Sequence, residues 1–287
     1  MFELCAISKR YGKTKALGQV DLLFTRGLYA LLGRNGAGKT TLLRILTGNL
    51  APDSGEVKRC GRSVYRGLRE HRDATGYLPQ EFAPYGDLTV NQFLTYMAGL
   101  KNIPSVLVQG RIMEVLNEVL LEGEVHTPLS SLSGGMRRQL GLAASVLNDP
   151  DLLVLDEPYT GLDALLRQRL NRLLQRWALR RTVIVSSHVT GDVEGVAEHV
   201  VILDGGEVRA FQRPEQMVLR LAGRVWEIEV TDKDQLALLE KEYYLPRIKT
   251  TNGGYRVRIV GTPPRSMVAK AASPQLEDVF LAVTGGS

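Results

Sequence analysis

The chain has 287 residues, 44% hydrophobic and 23% charged, close to the averages of folded globular proteins, which excludes a disordered or fibrous polymer. At about 150 residues per domain it has room for one large domain, or one large and one small. Its net charge of +5 is spread along the sequence, densest at 66–72 and 167–181, and these basic runs read as solvated helix faces, so no nucleic-acid partner is expected.

The first ten residues lack the apolar core of a signal peptide, and no stretch approaches the roughly 18 consecutive apolar residues of a membrane span, so a cytoplasmic chain is expected. Phe2, Leu4 and Ala6 alternate, and Ala16, Leu17, Val20, Leu22 and Phe24 follow around turns at Gly12 and Gly18, which predicts an antiparallel layer. Cys5 and Cys60 each lie among strand-like residues, without a CxxC spacing, and read as reduced, packed thiols. Leu28–Leu32 is a fully apolar strand, Gly33–Gly38 a glycine-rich loop, and Lys39–Leu50 a helix with Leu42, Leu43, Ile45 and Leu46 inward. Helical spacing over Thr89–Leu121, interrupted at Pro104 and Gly110, predicts a helical subdomain spanning about 82–145. Strands return at Leu152–Leu155, Thr182–Ser186 and Val200–Leu203 between helix-like segments, the pattern of a mostly parallel sheet. From Arg224 a new unit begins: Trp226, Ile228 and Val230 alternate with charged residues, as do Tyr255, Val257 and Ile259 around a helix-like Gln235–Tyr244 and a turn at Asn252-Gly253-Gly254. The expected division is 1–215 for an α/β domain and 222–287 for a small α+β domain.

Three motifs carry chemistry. Gly33-Arg34-Asn35-Gly36-Ala37-Gly38-Lys39-Thr40-Thr41 lies between an apolar strand and a helix, where such a loop turns its N–H groups around phosphates, Lys39 reaches the β and γ phosphates, and the Thr40 hydroxyl serves Mg²⁺. Leu152–Leu155 runs into Asp156-Glu157-Pro158, so that Asp156 stands at a strand end beside the loop as a metal anchor and Glu157 one step further as a candidate base for an attacking water. Leu132-Ser133-Gly134-Gly135-Met136-Arg137-Arg138-Gln139 places Ser133 and the N–H groups of Gly134 and Gly135 at a helix start, which attracts phosphate.

Taken together, with the Ser133 motif twenty residues before the Asp156-Glu157 strand, the motifs resemble those of ABC-transporter nucleotide-binding subunits, over about residues 1–215. The resemblance implies a P-loop NTPase core with an antiparallel β subdomain and a helical subdomain, followed by the small C-terminal unit. It also implies ATP and Mg²⁺, and roles for further residues: Tyr11 stacking on adenine, Gln80 near metal and water, His188 contacting the γ-phosphate, and Asp163 communicating across a dimer. Two copies, a homodimer or a paired ATPase subunit, would sandwich two ATP molecules beneath an integral-membrane transporter subunit, on the inner face of the cell membrane. Met136 departs from the family's usual glutamine, and with the tail Ser273–Leu281 it resembles drug, sodium and antimicrobial-peptide exporter ATPases, which implies export. Phe82, Tyr85, Phe93 and Tyr96 are candidates for a groove receiving the membrane subunit. The alternatives are a soluble ABC-type ATPase acting on nucleic acid or ribosomes, which usually carries two cassettes or long coiled-coil insertions, and a regulatory module working through the residues after Arg224; the chain has one cassette and no sustained heptads.

Overall fold

The computed structural model describes residues 1–83, 87–243, 245, 247–251, 253–264 and 267–285. Two long strands open the chain, β1 (Phe2–Tyr11) and β2 (Thr14–Phe24), turning at Gly12 with φ 57°. The buried strand β3 (Gly27–Leu32) leads through the glycine loop into α1 (Lys39–Leu46), and the β4 (Ser54–Arg59) and β5 (Arg62–Ser63) hairpin follows. After α2 (Leu68–Asp73) and β6 (Thr75–Leu78) come α3 (Val90–Leu100), α4 (Ser105–Val119) and α5 (Gly134–Val146). Then β7 (Leu152–Leu155), α6 (Ala164–Ala178), β8 (Thr182–Ser187), α7 (Thr190–Val193), β9 (His199–Asp204), β10 (Glu207–Gln212) and α8 (Pro214–Leu219) complete the first 219 residues. The rest comprises β11 (Val225–Val230), α9 (Lys233–Glu242), β12 (Arg247–Thr251), β13 (Gly254–Val260), β14 (Ala269–Ala271) and α10 (Leu276–Thr284).

The strands form three sheets: an antiparallel β2-β1-β4-β5, a six-stranded β10-β9-β3-β8-β7-β6 that is parallel except at β10, and an antiparallel β12-β13-β11-β14. Because successive side chains of a strand point to opposite faces, the six-stranded sheet feeds two cores. Leu28, Ala30, Leu32, Leu153 and Leu155 pack with α3 to α6, whereas Tyr29, Leu31, Leu152 and Val154 pack with α1 and the β1–β2 layer. This brings the mixed α/β core, its antiparallel layer and its helical subdomain together as the sequence implied.

Several local expectations change. Gly18 is not a turn but lies within β2, where its N–H donates to Gly206 O at 2.9 Å, a close backbone approach of the kind glycine permits. The first helix ends at Leu46 rather than Leu50, since Gly48 takes φ 73°. Gly110 does not interrupt α4, because it faces open space while Val108, Ile112, Val115 and Leu116 bury the helix's apolar face. Cys60 is exposed at the β4–β5 turn and Cys5 only half-buried, so neither is a packed thiol, though both are free. Nor are the basic runs wholly solvated: Arg181 is buried with its Nη2 on Asp149 at 2.6 Å, and Arg72 donates to Gly48 O at 2.6 Å. Tyr244 and Asn252 lie outside the described residues.

The C-terminal sheet has its own small core, with Ile228, Val230, Val257 and Ile259 against Leu239 of α9. Its other face carries the ion pairs Arg256–Glu229 and Arg258–Glu227. Arg258 also holds Asp278 of α10 through two hydrogen bonds of 2.8 and 2.7 Å, both side chains buried. α10 itself returns to the large core, where Leu276, Val279 and Phe280 join the cluster of Leu28 and Val200.

Candidate functional site

The glycine loop is shaped for close backbone approach. Gly36 and Gly38 adopt φ 80° and 101°, conformations an L side chain strains to reach, and Gly38 sets the start of α1 without a side-chain cap. The first N–H groups of that helix lack intrahelical partners and present a positive end to the space above the loop. Lys39 is buried and curls back, its Nζ donating to Gly33 O at 2.7 Å and Arg34 O at 3.4 Å. A cleft of about 440 Å³ opens here, lined by Tyr11, Asn35, Gly36, Gly38, Lys39, Thr40, Thr41, Gln80 and Glu157. That volume is within the range of ordinary ligand pockets. Gly33 and Ala37 stand behind the lining, both buried.

The strand end delivers the two carboxylates differently. Asp156 is fully buried; Ser186 Oγ donates to its Oδ1 at 2.6 Å, and its Oδ2 has no hydrogen-bond partner. A buried carboxylate oxygen left without a partner is costly and marks a place for a cation. Glu157 has φ 50°, unusual for a residue with a side chain, and its N–H donates to the same Ser186 Oγ at 2.8 Å. Its Oε1 lies 3.3 Å from Lys39 Nζ, and its Oε2 lies 2.9 Å from His188 Nδ1 in a contact where the ring donates and the carboxylate accepts. Loop, strand end and β8 end therefore converge on one carboxylate.

Ser133, Gly134, Gly135 and Asp163 do not line this cleft. Ser133 caps α5, its Oγ accepting from Met136 N at 3.2 Å, and Asp163 caps α6, its Oδ1 accepting from Leu166 N at 2.8 Å. A side chain added at Gly135 would meet Leu166 at 3.4 Å, so the two helix starts are neighbours. The exposed start of α5, capped by a neutral hydroxyl, makes a second phosphate-attracting surface on the same molecule, whereas the start of α6 already carries the Asp163 carboxylate.

Sequence reasoning passed over two residues that organise the site. Ser186, on a buried strand, ties Asp156 to Glu157. Arg138, buried on α5, donates to the carbonyls of Pro79, Gln80, Asp156, Glu157 and Pro158. Burial pulls its guanidinium below the ordinary arginine range. The hidden signal for Arg138 was helical spacing: four residues before Leu142 and eight before Val146, it faces inward with them.

Further concavities lie elsewhere among the described residues. One of about 940 Å³ sits between β4 and α2, lined by Lys58, Arg62, Glu70 and His71; it is larger than the loop cleft but remote from the motifs. Another of about 240 Å³ separates the end of α1 and the start of β6 from α3 and α5, lined by Asn49, Arg72, Phe82, Met97 and Lys101. Burial lowers the Lys101 ammonium, whose Nζ donates to Thr75 O at 2.9 Å. Of the groove aromatics expected from the sequence, Phe82 lines this cleft, Tyr96 is exposed, Phe93 is core, and Tyr85 lies outside the described residues. Phe93 is withdrawn because its ring packs edge-on against Phe82, centroids 5.9 Å apart.

The family described as "ABC transporter" matches residues 18–160. The Nod factor export ATP-binding protein I of Ralstonia nicotianae is 31% identical over 97% of this chain and 92% of that protein. The uncharacterized ABC transporter ATP-binding protein YxlF of Bacillus subtilis is 34% identical over 85% of this chain and 81% of that protein. Among solved structures, an ATP-binding subunit of an ABC transporter superposes with a TM-score of 0.70 at 26% identity, covering 77% of this chain and 92% of that one. A bacterial ABC transporter cassette solved as a dimer gives 0.68 at 24% identity, covering 74% and 98%.

Proposed function

We propose, from the premise that this chain belongs to the ABC transporter family as one of its ATP-binding, ATP-hydrolysing subunits, that it drives export through a separate membrane subunit by closing in pairs around ATP. The observation that carries the reading is the meeting of Lys39, Glu157 and His188 beside the glycine loop. In this arrangement Lys39 is neutralised by Glu157. Arrival of a phosphate chain gives Lys39 a stronger anionic partner, frees Glu157 to accept a proton from water, and leaves His188 to orient the γ-phosphate side. Tyr11 offers a half-exposed ring to the base, and the loop N–H groups hold the phosphates.

Mg²⁺ fits the residues present, since Asp156 offers a buried, unpartnered carboxylate oxygen next in sequence to Glu157, Thr40 and Gln80 line the cleft with Glu157, and magnesium takes one or two carboxylates together with phosphate oxygens. When bound, it would supply charge neutralisation to the phosphate chain. In the proposed pair, Ser133, Gly134 and Gly135 of one copy meet the γ-phosphate held by the other, with Asp163 beside them. Each helix start gains its anion only when nucleotide joins the copies, so closure follows ATP and opening follows hydrolysis. The cleft of about 240 Å³ lined by Phe82, Met97 and Lys101 is the candidate seat for the membrane subunit. Export is favoured by similarity to export ATP-binding proteins extending over 97% of the chain, beyond residues 18–160 and through the C-terminal sheet.

The test is Glu157→Gln, which should still bind ATP while turnover falls roughly 10²- to 10⁴-fold, the usual worth of a general base. With saturating ATP and Mg²⁺, and the membrane partner present, this variant should be dimeric; a monomer under those conditions removes the mechanism.

A further inference from the structure

α5 begins under the Ser133 cap, and one turn further it carries Arg138. The buried Arg138 guanidinium meets five backbone carbonyls: Nε donates to Pro158 O at 3.3 Å, Nη1 to Pro79 O at 3.1 Å and Gln80 O at 3.0 Å, and Nη2 to Asp156 O at 2.7 Å and to Glu157 O. A guanidinium has five N–H groups, so every donor is used. The acceptors come from only two segments. One is 79–80, whose Gln80 side chain lines the cleft, and the other is 156–158, which carries the candidate metal anchor and base.

We propose that Arg138 is a positioning residue that joins the two nucleotide sites of the pair, fixing the helix that meets the partner's ATP to the backbone that aims Gln80 and Glu157 at this chain's own ATP. This rests on the paired reading above. Glu157 occupies a backbone conformation that persists only where its surroundings over-determine it, and its two peptide groups are held from opposite sides, the N–H by Ser186 and the C=O by Arg138. A displacement of α5 at its phosphate-facing end is carried through a rigid, planar five-point fork to both loops. The state of one site thereby sets the geometry of the other. Lysine cannot replace the fork: it keeps the charge but offers three donors from a single nitrogen.

The experiment compares the full chain with Arg138→Lys and Arg138→Gln, measuring nucleotide affinity, melting temperature, and turnover against ATP concentration. Two linked sites give the parent a sigmoidal dependence. Arg138→Lys should bind nucleotide as the parent does, because Arg138 does not line the cleft. Its kcat should fall about 100-fold, the cost of a small misplacement of reacting groups, and its ATP dependence should become hyperbolic. Arg138→Gln, with fewer donors, should fall further in kcat at similar affinity. Parent-like kcat and sigmoidality in Arg138→Lys would overturn the proposal. So would a loss of nucleotide affinity and melting temperature in both variants that accounts for the lost turnover, since that marks a merely structural role. A parent that is monomeric with a hyperbolic response would instead remove the paired reading itself.

Discussion

Glu157 and Asp156 are neighbours in sequence with opposite surroundings. One carboxylate is shared between Lys39 and His188, and the other is sealed inside with one oxygen unmatched. The sequence announces both, because an apolar strand running into two acids beside a glycine loop is a local pattern. Helical spacing turns Arg138 inward, but nothing in the sequence announces its partners, which lie 18 to 59 residues away along the chain and are backbone atoms, leaving no trace in side-chain identity. His71 is equally silent. It is buried, its Nε2 donating to Leu46 O at 2.8 Å and its Nδ1 unpartnered, and burial lowers its affinity for a proton below the ordinary value of 6.5. The sign follows from linkage: above pH 6.5 both states are neutral there, while below it the unfolded chain takes up a proton that the folded chain resists, so stability falls as pH drops. Thermal melting across that range should show a slope that His71→Phe reduces; an unchanged slope would mean that other groups set the acid limb.

Elements were legible where one face decides them. α4 runs through Gly110 because its buried stripe outweighs the cost of about 1 kcal/mol for one glycine, and β2 runs through Gly18 because that backbone is received by the β9–β10 turn. Both glycines read as breaks in a sequence that does not reveal its neighbours. The C-terminal sheet was legible from its alternation, with Trp226, Ile228 and Val230 on one face, but the pairing of its other face to α10 was not. There Asp278 accepts from Arg258 and also from Gln275 N at 2.7 Å, so one carboxylate both caps the helix and anchors it. Asp278→Asn takes from Arg258 its buried carboxylate and leaves it only Glu227 at 3.4 Å as a counter-charge, so about 1–3 kcal/mol of stability should be lost from this part of the chain. Denaturant unfolding followed at Trp226 should report an earlier transition; coincidence with the parent curve would mean the pair is solvated.

For the whole molecule the central fact is that its two phosphate-attracting surfaces are separate. The glycine loop opens into one cleft, and Ser133 with Asp163 heads two other helices outside it. The motifs are readable in a single line of sequence, but their separation in space is not, since order along the chain says nothing of which face each reaches. A mixing experiment draws on this directly. Lys39→Ala and Ser133→Ala should each be nearly inactive alone, yet mixed pairs hold one site with an intact loop and an intact facing helix, and activity should reappear on mixing. If Ser133 served its own chain's nucleotide, mixing would restore nothing.

The return of α10 to the large core carries its own consequence for how the molecule is made. Leu276, Val279 and Phe280 close a hydrophobic cluster whose other members begin at Leu28, so nearly the full length of the chain must emerge from the ribosome before that cluster is sealed. The early-made strand β3 therefore waits, partly bare, for α10, and a nascent chain stalled ahead of residue 276 should remain a client for chaperones.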